Sequence, residues 1–224
     1  MEENELKEIT IKSLFDLSHT ILKDYLLKFE YPFEALEGLS DEIVRIGNTL
    51  DKTEYQEVKP QVWVHHTAHI FDSAYLGSPL IVCKNAEIRH CAFIRGSAVI
   101  GENAVVGNSC ELKNAILFDN VQTPHYNYVG DSILGYKAHM GAGSITSNVK
   151  SDKSLVVIHS TPEVKTNRKK VGAFLGDYVE VGCNSVLNPG TVIGRNSNVY
   201  PLSMVRGVID SDSIFKQGII VKKK

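Results

Sequence analysis

The fold is decided by residues 64–112, which read VHHTAHIFDSAYLGSPLIVCKNAEIRHCAFIRGSAVIGENAVVGNSCEL. An aliphatic residue occupies every sixth position, namely Val64, Ile70, Leu76, Val82, Ile88, Ile94, Ile100, Val106 and Leu112. A small residue follows most of these after four positions, namely Ala68, Ala74, Ala86, Ala92, Ala98, Ala104 and Cys110. Neither the helical period of about 3.6 nor the strand period of 2 gives this pattern. It predicts a parallel β-helix, in which three strands and three turns make one triangular coil.

The same repeat returns in two later parts of the chain. Its inward positions there are Tyr128, Leu134 and Met140, and then Leu175, Val181, Leu187, Ile193, Val199 and Val205. With Phe118 included, the pattern predicts about six coils whose aliphatic side chains stack into one continuous core. If each side chain contributes about 1.5–3 kcal/mol on burial, this core needs no metal or disulfide.

Two segments interrupt the repeat. About four extra residues are expected to intrude between Gln122 and Asn127, and the pattern lapses between Thr146 and Phe174. Long irregular segments inside a regular scaffold often carry function. We therefore look for functional residues near both interruptions.

Composition excludes several classes of protein. The formal charge is −2 and the pI is about 6.4, so neither nucleic acid nor a membrane surface is an expected partner. No apolar run is long enough to span a bilayer, and Met1–Glu5 does not resemble a signal peptide, which predicts a cytoplasmic protein. The four cysteines, Cys83, Cys91, Cys110 and Cys183, show no CxxC spacing and are expected to be small buried thiols.

Residues 1–59 differ from the repeat and are predicted to form a helical cap and a linker. Leu14, Leu17, Ile21, Leu22, Tyr25 and Leu26 recur at helical spacing, and Ser40 is a candidate N-cap for a second helix. A helical pair could cover the open end of the coil stack, or it could dock a partner. Residues 60–210 would then form the β-helix domain and residues 211–224 a C-terminal tail.

Two cations point to an anion. Arg95 and Lys113 are one 18-residue coil apart, so they should stack on the same face. Because like charges in one column repel, the pair suggests a bound phosphate or carboxylate. The alternative is that both are solvated surface cations.

His125 and a small-residue run provide further candidates. An imidazole on an irregular loop can project into a groove, and its ordinary pKa suits a general base at neutral pH. Gly141-Ala142-Gly143 would let a ligand approach backbone N–H groups, which can stabilise an oxyanion.

The motifs around these residues resemble a known family. They are Glu111-Leu112-Lys113-Asn114, His125-x-x-Tyr128-Val129-Gly130-Asp131 and Gly141-Ala142-Gly143-x-Ile145-Thr146-x-Asn148. They resemble the left-handed β-helix acetyltransferase domain of the bifunctional glucosamine-1-phosphate acetyltransferase/UDP-N-acetylglucosamine pyrophosphorylase enzymes. The runs NRKKVGAFLGD (167–177) and LNPG (187–190) are more similar to the archaeal-type sugar-1-phosphate nucleotidyltransferase branch. The resemblance covers about residues 60–216 and implies left-handed coils.

The resemblance implies an acetyl-CoA-dependent N-acetyltransferase acting on an amino-sugar phosphate similar to glucosamine-1-phosphate. His125 matches the general base, and the N–H of Ala142 matches the group that meets the tetrahedral oxyanion. The residues implied for the acceptor are Arg95, Lys113, Tyr128, His139, Asn148 and Lys153, and those implied along the pantetheine arm of acetyl-CoA are Ala142, Cys183 and Pro201. The family also implies a homotrimer with active sites between adjacent subunits.

Departures from the family pattern bear on the substrate and on the activity. His139 stands where the bacterial enzymes carry a substrate-binding Asn, and Val149 replaces an aromatic residue beside Asn148. Both allow an acceptor other than glucosamine-1-phosphate. No residue from Val208 to Lys224 aligns with the family arginine that binds the CoA phosphate. Because no Gly-rich nucleotide loop is present, we expect no pyrophosphorylase activity in this chain.

Two other functions are alternatives. One is a non-catalytic trimeric module that binds a sugar phosphate and partners a separate nucleotidyltransferase. The other is a trimeric β-helix metalloenzyme such as a γ-type carbonic anhydrase, for which His65, His66 and His69 would be candidates. These histidines lack a matching pair one coil away, so we expect surface positions and no metal site. The joint presence of the candidate base, the tyrosine and both cations favours the enzyme.

Overall fold

The computed structural model describes residues 6–223. Two parts of the chain lie outside the described residues. They are Met1–Glu5, on which the signal-peptide prediction rests, and Lys224 of the terminal lysine run. Short strands wind into a column of coils with three faces, and successive coils are joined by parallel ladders. The predicted left-handed parallel β-helix with a helical N-terminal region is confirmed. Among the described residues, no helix has the length and apolarity needed to cross a membrane.

Each face is a stack of short strands, in which β10 and β12 contribute to two faces. Face I contains β2 (Val62–His65), β5 (Leu80–Val82), β8 (Ala98–Ile100), the ends of β10 (Glu111–Leu117) and β12 (Tyr128–Leu134), β17 (Ala173–Leu175), β20 (Thr191–Ile193) and β23 (Val208–Ile209). Face II contains β3 (His69–Ile70), β6 (Glu87–Ile88), β9 (Val105–Asn108), β11 (Gln122–His125), β13 (His139–Met140), β18 (Glu180–Val181), β21 (Asn198–Val199) and β24 (Ser213–Lys216). Face III contains β4 (Tyr75–Leu76), β7 (Phe93–Ile94), the starts of β10 and β12, β14 (Ile145–Thr146), β19 (Val186–Leu187) and β22 (Met204–Val205).

The column is longer than the six coils that the repeat predicts, because faces I and II each stack eight strands. One additional inward position is occupied by the buried polar Thr123, which the aliphatic pattern does not detect. Another is occupied by Phe215, which pairs with Val199 across a coil that is shorter than the regular repeat. The expected tail therefore begins later than Ser211, since β24 still belongs to face II.

The first interruption of the repeat is a shortening of the coils rather than an insertion. Corner residues with left-handed φ recur every six positions from Asn85 to Ser109, and then follow after only five positions at Asn114 and at Asp131. Val106 accordingly pairs with Thr123, one position earlier than a full coil would place its partner. The prediction of four extra residues between Gln122 and Asn127 is wrong. The inward positions are also shifted by one, to Leu117 and Val129 instead of Phe118 and Tyr128.

The second interruption is a true insertion, as predicted. Thr146 pairs directly with Leu187, and the segment between them leaves the column. It carries a small antiparallel hairpin of β15 (Val157–Ile158) and β16 (Val164–Lys165). The insertion lies beside the corner that follows face III.

The N-terminal region packs along face I and not over the open end of the stack, so the predicted cap position is wrong. It consists of 3₁₀ turns Leu6–Ile9 and Leu17–His19 and of helices α1 (Ile11–Leu14), α2 (Lys23–Leu26), α3 (Pro32–Ala35) and α4 (Leu39–Gly47). The single helix predicted from Leu14 to Leu26 is broken, since the side chains of Asp16 and Thr20 accept hydrogen bonds from the N–H groups of Ser18 and Leu22.

Contacts along the whole column show that the N-terminal region runs from the last coils towards the first coil. Near the last coils, Glu8 accepts a hydrogen bond from the N–H of Ser211 at 3.1 Å. Further up, the N–H of Asp177 donates to the carbonyl of Leu14 at 3.0 Å. At the first coil, α4 packs against the Trp63 side chain through Gly47. The outward residues of face I are consequently buried, namely Trp63, Ile81, Val99, Ile116, Ile133, Phe174 and Val192.

Short antiparallel strands cover the two ends of the stack. Strand β1 (Tyr55–Lys59) pairs with β2 beside the first coil, and β25 (Ile219–Lys222) folds back onto β24 beside the last. Such pairing occupies the backbone groups that an end coil would expose. These strands, and not the helical region, therefore lie at the ends of the stack, and the helical region packs along face I.

The Gly47→Ala substitution should destabilise the protein by about 1–3 kcal/mol, because a Cβ at this position would overlap the Trp63 indole. Urea denaturation followed by tryptophan fluorescence measures this directly, since Trp63 is the only tryptophan. Ser40→Ala on the same helix is the control and should change stability by less than about 0.5 kcal/mol. The prediction of Ser40 as the N-cap is wrong, because Gly38 occupies the N-cap position and no side chain among the described residues caps the helix. Equal stability of the Gly47 variant and the native chain would contradict the packing of α4 on face I.

Candidate active site

A buried carboxylate organises the corner between faces III and I. Asp131 is 3% exposed and accepts hydrogen bonds from Lys113 Nζ at 2.9 Å, from Asn114 Nδ2 at 2.8 Å and from Asn148 Nδ2 at 2.6 Å. A buried charge is stable only when it is paired and hydrogen-bonded, and these three donors meet that requirement. Two of the residues predicted to bind the acceptor sugar, Lys113 and Asn148, thus contact the same carboxylate.

The short coils create this cluster. Asn114, Asp131 and Asn148 recur at a constant interval one position shorter than a full coil, so they lie one above another at the same corner. Asn114 and Asp131 belong to the family motif but have no role predicted from the sequence, because a spacing of 18 residues does not align them with Asn148. The shortened, regular spacing of three short polar side chains was the signal that could have identified them.

Tyr128, a third residue predicted to bind the acceptor sugar, belongs to the same cluster. Asn148 Nδ2 donates to Tyr128 Oη at 3.1 Å, so the hydroxyl hydrogen of the phenol is available for another acceptor. Burial raises the pKa of Tyr128, and the nearby carboxylates of Asp131 and Glu111 raise it further. The phenol therefore stays protonated at neutral pH and can donate a hydrogen bond to a ligand.

Arg95 stacks beside Lys113 as predicted, but neither cation lacks a partner. Arg95 Nη1 lies 2.9 Å from Glu111 Oε1, and Lys113 Nζ lies 2.9 Å from Asp131 Oδ1. The following coil supplies a carboxylate to each cation, so an uncompensated repulsion between the two is not a reason to expect a bound anion, and anion binding at this corner stays a prediction. An anionic ligand at this corner has to compete with these carboxylates.

His125 and Ala142 lie together at the opposite corner, between faces II and III. His125 is the last residue of β11, a regular strand position rather than the expected loop, and its imidazole makes no hydrogen bond to residues 6–223. Its carbonyl accepts a hydrogen bond from the N–H of Gly143 at 3.0 Å, which holds the turn carrying Ala142 against it. Ala142 is half-buried, and its N–H donates to no other described residue.

The two corners are separated by the width of face III, which is roughly 13 Å for a four-residue strand. A single chain therefore does not bring His125 together with Arg95 and Lys113. The outward row of face III between them is largely apolar, namely Tyr75, Phe93, Glu111, Tyr128, Ile145, Val186 and Met204. Tyr75 and Met204 are 58% and 69% exposed, a degree of apolar exposure that is typical of a contact surface.

Cys183 and Pro201 line one groove of about 450 Å³ at the same corner as Ala142. His139 also lines this groove, and its Nδ1 lies 2.7 Å from Glu180 Oε2. The structure thus places His139 with the residues expected beside the acetyl donor and not in the Asp131 cluster. Lys153 lies on an exposed turn of the insertion and does not join that cluster either.

Two expectations for cysteine and histidine are corrected. Cys83 and Cys110 are buried, and burial raises the pKa of Cys83 to about 12, but Cys91 and Cys183 are exposed. His65 is buried, with its Nδ1 accepting from the N–H of Thr67 at 3.1 Å, instead of lying at the surface. Within residues 6–223, no group of three histidine, cysteine or acidic side chains could hold a metal ion.

Asp131→Ala should lower the free energy of unfolding by about 2 kcal/mol, because it leaves the Lys113 ammonium and two amides without their acceptor. Glu111→Ala is the matched control, since it removes a carboxylate from the neighbouring exposed pair. That loss should cost less than about 1 kcal/mol. Chemical denaturation of both variants measures the difference, and equal losses would refute the central role of Asp131.

Comparisons with known proteins agree with this architecture. The chain is 32% identical over 135 residues to the bifunctional protein GlmU of Methanococcus maripaludis strain C5, an alignment that covers 59% of this chain and 33% of that protein. It is 28% identical over 172 residues to a bifunctional sugar-1-phosphate nucleotidylyltransferase/acetyltransferase of Sulfurisphaera tokodaii, covering 76% of this chain and 42% of that protein. The chain thus spans about a third of the length of the first of these curated relatives.

One similar solved structure is the polySia-specific acetyltransferase NeuO, with a TM-score of 0.48 and 14% identity over 69% of this chain and 79% of that one. Residues 78–209, more than half of the chain, match the family described as the GMPPB C-terminal domain. The chain belongs to the family of the GMPPB C-terminal domain.

Proposed function

We propose that this chain transfers the acetyl group of acetyl-CoA to the amino group of an amino-sugar phosphate similar to glucosamine-1-phosphate. The observation that carries the proposal is the Asp131 cluster, which joins Lys113, Tyr128 and Asn148 by direct hydrogen bonds. The similar protein from Sulfurisphaera tokodaii is a bifunctional sugar-1-phosphate nucleotidylyltransferase/acetyltransferase, which agrees with the proposal.

In the proposed reaction, His125 accepts a proton from the sugar ammonium group. The free amine attacks the thioester carbonyl carbon, a C–N bond forms, and the negative charge on the carbonyl oxygen is met by the N–H of Ala142. Collapse of this intermediate breaks the C–S bond, the nitrogen loses its extra proton, and the CoA thiolate takes up a proton and leaves as the thiol. The exposed imidazole and the unpaired N–H at one corner support these two roles.

The proposed active unit is a homotrimer, with the acceptor held between adjacent subunits. One corner of face III carries the candidate base, and the other carries the cations and the Asp131 cluster. A second copy that covers the apolar outward row of face III would bring the base of one subunit near the acceptor residues of the next. This arrangement closes the gap that separates the two corners in one chain.

The acceptor phosphate would bind between Arg95 and Lys113. Glu111 is the easier carboxylate to displace, since its side chain is 35% exposed whereas that of Asp131 is 5% exposed. We therefore propose that the phosphate replaces Glu111 at Arg95, while Asp131 keeps Lys113 in position.

A second candidate function is a non-catalytic sugar-phosphate module that partners a separate nucleotidyltransferase. The separation of His125 from Arg95 and Lys113 by the width of face III favours it, because binding of a sugar phosphate needs no base beside it. Binding of an amino-sugar phosphate without any acetyl transfer would distinguish this function from the enzyme.

His125→Ala should lower kcat by about 10²–10⁴ in an acetyl-transfer assay with glucosamine-1-phosphate and acetyl-CoA, because the general base is lost. Tyr126→Ala is the matched control, since it removes an exposed neighbouring ring at the same corner and should leave kcat within a few-fold of the native value. Full activity of the His125 variant would remove this residue from the mechanism.

Glucosamine-1-phosphate should raise the melting temperature of the native chain, and the double substitution Arg95→Gln/Lys113→Gln should abolish that increase. Ligand at 100 times its Kd stabilises a protein by about 2.7 kcal/mol, which differential scanning fluorimetry detects readily. Arg89→Gln is the control, because Arg89 forms a similar half-exposed ion pair with Glu87 at 3.0 Å. An unchanged increase in the double variant would place the phosphate elsewhere.

A further inference from the structure

A second cavity lies beside face III, where the insertion packs against the last coils. Its volume is about 390 Å³, and Lys150, His159, Asn188 and Arg206 are among the residues that line it. Ser147 and Val149, which flank Asn148 of the Asp131 cluster, also line this cavity. The cavity therefore borders the chain segment that carries Asn148.

Two glycines let the insertion hairpin approach the column closely. A Cβ at Gly190 would lie 3.1 Å from the carbonyl oxygen of Val157, and a Cβ at Gly207 would lie 3.1 Å from that of His159. Both glycines have left-handed φ angles, of 80° and 86°, which other residues rarely adopt. The hairpin is thus held against the corner, and the cavity forms beneath it.

The hydrogen bonds of His159 connect it to Arg206 and Glu163. Arg206 Nη2 lies 2.8 Å from His159 Nε2, and a guanidinium can only donate, so Nε2 must be the unprotonated acceptor. His159 Nδ1 therefore carries the hydrogen and donates to Glu163 Oε1 at 2.6 Å. The imidazole of His159 thus bridges the Arg206 guanidinium and the Glu163 carboxylate.

The cavity lining is net positive and offers unused donors. Arg206 and Lys150 contribute two positive charges, whereas Asp152 is the only carboxylate among the lining residues. Lys150 Nζ donates to Ser154 Oγ at 2.7 Å and lies 3.7 Å from Asp152, so it is only loosely paired. The Asn188 amide makes no side-chain hydrogen bond to any described residue. A planar guanidinium with an amide and an ammonium nearby is well suited to phosphate oxygens.

The position of the cavity relates it to the groove of Cys183 and Pro201. Strand β19 leads from the corner of Cys183 to Asn188, and β22 leads from the corner of Pro201 to Arg206. The cavity and the groove thus lie at the same levels of the column, on the two edges of face III. In an assembly through face III, the cavity of one copy would face the groove of the next.

We propose that this cavity binds the diphosphate group of a nucleotide ligand, with Arg206 as its main contact and Lys150 and Asn188 as further contacts. The inference rests on the proposed function and extends it, because both CoA and a nucleotide-linked amino sugar carry such a diphosphate. The volume of about 390 Å³ is within the range of small-molecule sites and suits part of such a ligand.

The test is isothermal titration calorimetry with ADP, inorganic pyrophosphate, CoA, UDP-glucosamine, pantetheine and glucosamine-1-phosphate. Arg206→Gln should weaken binding of ADP and pyrophosphate by about tenfold to a hundredfold, which corresponds to the loss of a charged hydrogen-bonding partner. Pantetheine and glucosamine-1-phosphate should bind the variant as they bind the native chain. A loss for CoA identifies the acetyl donor as the source of the diphosphate, and a loss for UDP-glucosamine identifies the acceptor.

Arg45→Gln is the matched control, because it removes an exposed arginine of α4, far from the cavity, that is paired with Glu42 at 2.7 Å. Lys150→Gln is a second variant in the cavity and should also weaken ADP binding, with the far-ultraviolet circular dichroism of each variant unchanged. If Arg206→Gln, Lys150→Gln and Arg45→Gln all bind ADP as the native chain does, the inference is wrong.

The binding experiment tests the cavity independently of the proposed acetyl transfer. Binding of ADP that requires Arg206, in a chain that transfers no acetyl group to any acceptor, would support the cavity and refute the proposed function. Acetyl transfer with an unchanged KM for acetyl-CoA and for UDP-glucosamine in Arg206→Gln would refute the cavity and leave the proposed function standing.

Discussion

The structure depends on the hydrogen-bond register between successive coils. Each parallel ladder fixes which residue lies above which, so the length of a coil decides which side chains meet. Where coils shorten by one residue, β10 and β12 run through the corner without a break. That shortening brings Asn114, Asp131 and Asn148 into one column. The candidate acceptor site is therefore a consequence of the register.

The electrostatics of this corner follow from burial. The buried carboxylate of Asp131 accepts hydrogen bonds from an ammonium and two amides, and the same contacts hold those groups in place. The cluster is thus organised before any ligand arrives. Arg95 and Glu111 lie nearer the solvent, where exchanging one partner for another costs less. The corner thus combines the buried pair of Lys113 and Asp131, which is held in place, with the exposed pair of Arg95 and Glu111, which can exchange partners.

The helical N-terminal region determines which surfaces remain for ligands and partners. It covers face I from the last coils to the first, and short antiparallel strands cover the two ends of the stack. Among the described residues, the candidate base, the cations and the cavity lie on face III or at its two corners, and the groove extends from face II to the corner shared with face III. A single face between two functional corners is suited to sites that two copies of the chain complete together.

The sequence was enough to predict the repeat fold, the insertion after Thr146 and the stacking of Arg95 beside Lys113, because a six-residue period is a local property. It could not place the helices on face I, since an amphipathic helix specifies that it packs but not against which surface. It also missed the role of Asp131 and the buried position of Thr123. Both depend on the number of residues in each coil, and only the tertiary hydrogen bonds between coils set that number.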